Sequence, residues 1–147
     1  MKIGHIHLRV KNLKRAEDFY MKLLGASCSE RVNNQYSFLS IGKAHHDIAL
    51  QEIGELARHP TQDMVGLYHT AFEVSDAKEL LKAIECLEGL GSEYSLVDHG
   101  ISWAAYTSDP DGNGVEIYLD RRNAKGGSAR WNGESRRLTK GEIGALA

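Results

Sequence analysis

Three side chains in this sequence stand where their chemistry could combine. His5 and His69 each open an alternating, strand-like run, Gly4-His5-Ile6-His7-Leu8-Arg9-Val10 and Tyr68-His69-Thr70-Ala71-Phe72-Glu73-Val74. The two histidines are 64 residues apart, and each stands five residues before a Val. The third residue, Glu116, lies between Val115 and Ile117. Side chains alternate across a strand, so a carboxylate there faces a cleft if its apolar neighbours face a core. Two imidazoles and one carboxylate converging on a cleft form the facial triad that holds non-haem Fe(II) and leaves positions open for substrate and O2. The same donor set also suits Zn, Mn or Ni. A lone strand histidine is more often a hydrogen-bonded structural residue, and Glu116 alone reads as a solvated carboxylate. The matched places of His5 and His69 in a repeat are what weigh against that. His7 shares a face with His5, and the strand pattern does not choose between them. The repeat does: His7 aligns with Ala71, whereas His5 aligns with His69.

The elements that would position these residues follow from periodicity. A strand over 2–10 puts His5, His7 and Arg9 on one face and Ile6, Leu8 and Val10 on the other. Asn12 is a fitting N-cap for a helix over 13–24 whose stripe is Ala16, Phe19, Tyr20, Leu23 and Leu24, with Gly25 ending it. Strands are expected over 26–32, 36–41 and 45–53, with turns at Asn33-Asn34 and Gly42-Lys43. A polar connection over 54–66, containing His59-Pro60, is the seam between the copies. The second copy repeats the order: a strand over 67–74, a helix capped by Asp76 and running to about Leu90, and strands near 94–97, 101–107 and 114–119. Asp109-Pro110-Asp111-Gly112-Asn113-Gly114 is dense turn chemistry. Each half is β-α-β-β-β, with too little helix to cover both faces of its sheet. The expected fold is therefore α+β: paired βαβββ modules, over about 1–56 and 65–122 of a domain spanning 1–122, forming a curved, half-open mixed β-sheet barrel around a cleft. From Arg121 onward the chain holds seven Lys or Arg against two Glu. Residues 123–147 are expected to form a tail that packs on the domain's own surface or straps a partner.

Composition excludes several classes. At 41% hydrophobic, 26% charged and net charge −2, nothing points to nucleic acid. No apolar run approaches the ~18 residues that cross a bilayer. The chain enters a strand at once without a secretory pattern, so a cytoplasmic protein is expected. Cys28 and Cys86 are far apart and lack metal-type spacing, which suits free thiols in a reducing compartment.

The segments GHIHLRVKNLKRAEDFYMKLLG, GLYHTAFEVSD and YTSDPDGNGVEIYLD carry a family resemblance over about residues 3–122. The sequence resembles the vicinal oxygen chelate superfamily, which includes glyoxalase I, bleomycin- and fosfomycin-resistance proteins and type I extradiol dioxygenases. Within it the likeness is to the catechol 2,3-dioxygenase type, of which this chain holds only the catalytic-type half. That resemblance implies His5, His69 and Glu116 as iron ligands. It implies His46, through AHHDIAL, as the acid–base histidine. It implies Tyr106, ten residues before Glu116, as the active-site tyrosine. His99, through DHGIS, would be a second cleft histidine, although its interval to Tyr106 is shorter than in some members. Trp131-Asn132-Gly133-Glu134 is similar to the tail of catechol-type enzymes.

The activity so implied is cleavage of a catechol-like diol by O2. His46 would shuttle a proton, Tyr106 would hydrogen-bond or help deprotonate a hydroxyl, and His99 would hold a substrate oxygen. A glyoxalase- or epimerase-type lyase or isomerase is the alternative, with Asp47 or Glu52 as a fourth ligand. A metal-free, drug-binding resistance protein is another. Small members of the superfamily are commonly dimers, so a homodimer or higher homo-oligomer is expected.

Overall fold

The structure is a computed structural model that describes residues 1–59, 61 and 63–147. Pro60, part of the expected seam, lies outside the described residues. The chain divides into two compact units: Met1–Met64 with Asp109–Gly112, and Val65–Ser108 with Asn113–Ala147.

The first unit begins with β1 (Ile6–Val10), where Leu8 and Val10 are buried and His7 and Arg9 exposed. α1 (Leu13–Leu24) starts where the Asn12 side chain accepts from the Arg15 N–H, and it stops at Gly25, whose φ of 64° is left-handed. Its apolar stripe Leu13, Ala16, Phe19, Tyr20 and Leu23 is buried. β2 (Ser27–Val32) turns through Asn33 and Asn34, both at φ 52°, into β3 (Tyr36–Ser40). β4 (Ile48–Glu52) runs antiparallel to β3 and parallel to β1, giving the order β1-β4-β3-β2. The turn Asp109–Gly112 belongs to this unit because its acids are tied to α1. Asp111 accepts from the Lys11 N–H at 3.0 Å and from Arg15 Nη2 at 2.8 Å, and the Tyr20 hydroxyl donates to Asp109 at 3.0 Å. Burial and Asp109 together push the Tyr20 phenol above its usual range.

The second unit repeats the order. β5 (Thr70–Val74) leads through Asp76, whose side chain accepts from the Glu79 N–H, into α2 (Ala77–Gly89). β6 (Ser95–Asp98), β7 (Ser102–Ser108) and β8 (Gly114–Asp120) follow. β5 is parallel to β8, and β7 is antiparallel to both β8 and β6. α2 lays Leu80, Ile84 and Leu87, all fully buried, toward Val115 and Ile117 of the sheet. Truncating one of these leucines to Ala would cost about 2–5 kcal/mol.

The last residues add structure to this unit. β9 (Arg136–Arg137) pairs antiparallel with β6, so the order is β5-β8-β7-β6-β9. α3 (Lys140–Gly144), opened by a Thr139–Glu142 capping box, packs against α2 and buries Ile143.

The α+β class and the two βαβββ modules are as the sequence implies. Strand starts are not: the expected strands over 2–10, 45–53 and 67–74 begin at Ile6, Ile48 and Thr70. The strand registers start at those residues, with Ile6 opposite Ile48 and Thr70 opposite Val115. His5 and His69 therefore each stand immediately before a strand rather than within it.

Candidate functional site

In the second unit, three strands converge on Glu116. Parallel pairing with β5 sets it opposite Ala71, and antiparallel pairing with β7 sets it opposite Tyr106. Its neighbours Val115 and Ile117 are each 1% exposed and point to the other face. His69 lies one residue before β5, on the Ala71 side, and its Nε2 is 2.9 Å from Glu116 Oε2. This approach needs Gly114: a Cβ there would meet the Tyr68 carbonyl oxygen at 2.2 Å and the His69 Cβ at 3.0 Å. The Glu116 side chain is only 10% exposed, and its other oxygen accepts from the Tyr106 hydroxyl at 3.0 Å. Burial first, then that bond to Glu116, raises the Tyr106 phenol well above its ordinary range, so it stays protonated. Beyond it, His99 Nε2 is 2.9 Å from the Tyr106 hydroxyl.

In the first unit, His5 is exposed and its ring centroid lies 4.5 Å from that of His46. His46 also packs against Phe38, with centroids 5.0 Å apart, and its Nδ1 is 2.9 Å from His45 Nδ1. Glu30 Oε2 stands 3.3 Å from His45 Nε2. Burial, and then the neighbouring imidazoles of His5 and His45, hold His46 below the usual histidine range. His7 faces Tyr36 instead, at 6.3 Å. Asp47 and Glu52 are both engaged in the backbone: Asp47 accepts from the Ile41 N–H at 2.8 Å, and Glu52 from the Leu13 N–H at 2.7 Å.

The strand registers align the two units residue by residue. Ile6 pairs with Ile48 as Thr70 pairs with Val115, so His5 corresponds to His69 and Asp47 to Gly114. One pair further on, His7 and Ala49 correspond to Ala71 and Glu116. Across the sheet, Phe38 opposite Ala49 corresponds to Tyr106 opposite Glu116. The first unit thus repeats the histidine but has neither the acid nor the phenol.

The donor chemistry fits a divalent cation. Two donors bound to one ion at ~2.1 Å and at right angles stand about 3 Å apart, close to the spacing of His69 Nε2 and Glu116 Oε2. His69 Nδ1 is buried without a hydrogen-bond partner, so the ring depends on its Nε2 contact. Among the described residues, neither unit by itself gathers three His, Cys, Asp or Glu side chains into a metal-holding group.

Of the expected residues, the structure joins His69, Glu116, Tyr106 and His99 in one network and His5 with His46 in another. Sequence reading missed Ser135, whose Oγ lies 2.6 Å from His99 Nδ1, and Glu30 beside His45. Neither carries a local signal: Glu30 on β2 meets His45 in the loop between β3 and β4, and Ser135 is 36 residues from His99.

Residues 2–117 match the Glyoxalase/Bleomycin resistance protein/Dioxygenase superfamily, and the chain belongs to it. A Catechol-2,3-dioxygenase of Bacillus subtilis is 35% identical over 119 residues, covering 81% of this chain and 41% of that protein. A lactoylglutathione lyase of Pseudomonas aeruginosa is 28% identical over 153 residues, covering 84% of this chain and 85% of the relative. This chain thus spans less than half the length of the dioxygenase it resembles, and its relatives by sequence are enzymes. Among solved structures, a point mutant of the fosfomycin resistance protein FosX of Listeria monocytogenes, complexed with Mn(II) and 1S,2S-dihydroxypropylphosphonic acid, shares the fold. Its TM-score is 0.63 at 23% identity, covering 80% of this chain and 88% of that one. Divalent metal binding therefore occurs in proteins of this fold.

Proposed function

We propose that this chain is the catalytic part of an extradiol-type dioxygenase that cleaves a catechol-like aromatic diol with O2, its metal held by His5, His69 and Glu116. The observation that carries this is the asymmetry of the repeat. One unit has Glu116, bonded by Tyr106, and the other has Ala49 at the matching register position. One carboxylate and two imidazoles are the donor count of the non-haem Fe(II) triad. A lyase of the glyoxalase type would draw a further acid from the first unit. Ala49 fills the equivalent place, and Asp47 and Glu52 are bound to backbone N–H groups. A metal-free binding protein has no need of the three donors together.

Fe(II) is the cation this donor set suits best, with Mn, Zn or Ni as other occupants. When bound, the metal supplies a Lewis acid with open positions for the two oxygens of a diol and for O2. The chain's own residues do the rest. Tyr106 keeps its proton and donates a hydrogen bond, orienting Glu116. His46 is held neutral, and because its Nδ1 faces His45, Nε2 is the nitrogen left to take and return a substrate proton. His99 stands behind Tyr106, its Nε2 2.9 Å from the phenol oxygen, and supports the tyrosine rather than holding a substrate oxygen itself. The same reading has a small-molecule substrate from aromatic catabolism, a cytoplasmic setting and a homodimer or higher homo-oligomer. Among the described residues no helix is long and apolar enough to cross a membrane.

Anaerobic protein loaded with Fe(II), mixed with a panel of catechols and then exposed to O2, is expected to consume O2 and form a yellow ring-opened product. No new absorbance with any catechol removes this function. Turnover of a hemithioacetal instead would establish the lyase.

A further inference from the structure

The hydrogen bonds around His99 run in determined directions and bring in a residue that the proposed reaction does not name. Glu116 anchors them, because its Oε1 accepts from the Tyr106 hydroxyl at 3.0 Å and a carboxylate has no proton to give. That bond uses the single phenol proton. The 2.9 Å contact between Tyr106 and His99 Nε2 must then run the other way, with Nε2–H donating to the phenol oxygen. In a neutral imidazole so arranged, Nδ1 is bare and needs a donor. The Ser135 hydroxyl is that donor, with its Oγ 2.6 Å away. In the opposite tautomer His99 would draw the phenol proton to itself, and Glu116 would lose its bond from Tyr106.

Ser135 is placed by strand register. β9 pairs with β6 so that Arg136 faces Asp98, which puts the preceding Ser135 opposite the following His99. Arg136 is held on both sides, 2.7 Å from Asp98 and 2.6 Å from Glu142. On the other side, Trp131 donates to the Glu134 carbonyl at 2.8 Å, and its ring stands edge-on to His99 with centroids 6.3 Å apart. Leu138 and Ile143, both buried, anchor the segment that follows.

We infer that Ser135 is a positioning residue: by donating to His99 Nδ1 it holds the Nε2–H tautomer and so keeps the Tyr106 hydroxyl donating to Glu116. Its consequence for turnover rests on the proposed function, but the tautomer itself does not.

Long-range 1H–15N spectra of the metal-free protein, residues 1–147, read that tautomer directly. Wild type is expected to show His99 protonated at Nε2 alone, Ser135→Ala a mixture of tautomers, and Ser135→Thr a return to the wild-type pattern. Methyl signals of Leu138 and Ile143 report whether the tail stays packed; if Ser135→Ala disturbs them, the wild-type tautomer alone decides. A wild-type His99 protonated at Nδ1, or a His99 indifferent to Ser135→Ala in a folded tail, overturns the inference. In the ring-cleavage assay Ser135→Ala is expected to lower kcat about tenfold or more with KM little changed, as loss of a supporting hydrogen bond typically does. If wild type cleaves no catechol, the function falls while the tautomer result stands, so the two failures are distinguishable.

Discussion

The first unit carries His5, Phe38 and Ala49 at the positions where the second carries His69, Tyr106 and Glu116. The backbone order is the same and the chemistry is not. In the first unit the acids serve the fold: Asp47 closes a turn, Glu52 and Asp111 accept from backbone N–H groups at the start of α1, and Glu17, almost fully buried, accepts two hydrogen bonds from Arg31. In the second unit Glu116 lies on the sheet face opposite Val115 and Ile117, and among the described residues it is met by His69 and Tyr106, side chains that have chemistry of their own. A duplicated scaffold can thus carry different side-chain chemistry at matching positions of its two copies. Side-chain volume follows the same division, since His7 faces Ala49 where Ala71 faces Glu116.

The largest effect should come from making the second unit resemble the first. Tyr106→Phe removes the donor to Glu116 and is expected to lower ring-cleavage kcat by roughly a hundredfold, with the fold intact by circular dichroism. Phe38→Tyr, the reciprocal change, should leave kcat unaltered. An unchanged rate in Tyr106→Phe would erase the distinction between the units.

Gly114→Ala tests the close approach that its counterpart Asp47 does not require. Its Cβ would press on the Tyr68 carbonyl and push His69 from Glu116, at a cost of about 1–3 kcal/mol in urea unfolding. Wild-type stability in that variant would mean that the backbone relaxes freely.

Glu17→Gln probes an acid that serves only the fold. Removing its charged bonds to the half-exposed Arg31 should cost about 1–2 kcal/mol at neutral pH. Arg31 lowers the Glu17 carboxyl below its ordinary value, so this contribution is complete above pH ~4.5 and fades as pH falls through the lowered pKa. Wild type and Glu17→Gln should converge in stability under acid, and a gap that persists there would point to packing rather than charge. The smallest effects should be matched: Asn12→Ala and Asp76→Ala each remove one helix cap and each should cost about 1 kcal/mol.

What was legible in the sequence was local. Asn12, Gly25 and Asp76 mark helix ends through contacts within four residues, and their reading matches the structure. Strand starts were overextended because a strand begins where a distant partner begins, and residues 2–5 and 67–69 alternate without one. Thr139-Lys140-Gly141-Glu142 carried a capping-box signal for α3 that a reading of the tail by charge passed over. The link from Asp111 to α1 and that from Ser135 to His99 join residues 96 and 36 apart, beyond any pattern of spacing. The repeat reached further than periodicity: it aligned His5 with His69, and the strand registers place these two at equivalent positions.

The central claim is that His5, His69 and Glu116 share one cation, and calorimetric titration with Fe(II) or Mn(II) under nitrogen tests it most directly. Wild type should bind one ion per chain. His5→Ala, His69→Ala and Glu116→Gln should each weaken binding by more than about a hundredfold, beyond what loss of a supporting residue does, while His7→Ala changes it little. Undiminished binding in His5→Ala, or loss confined to His7→Ala, would contradict the account.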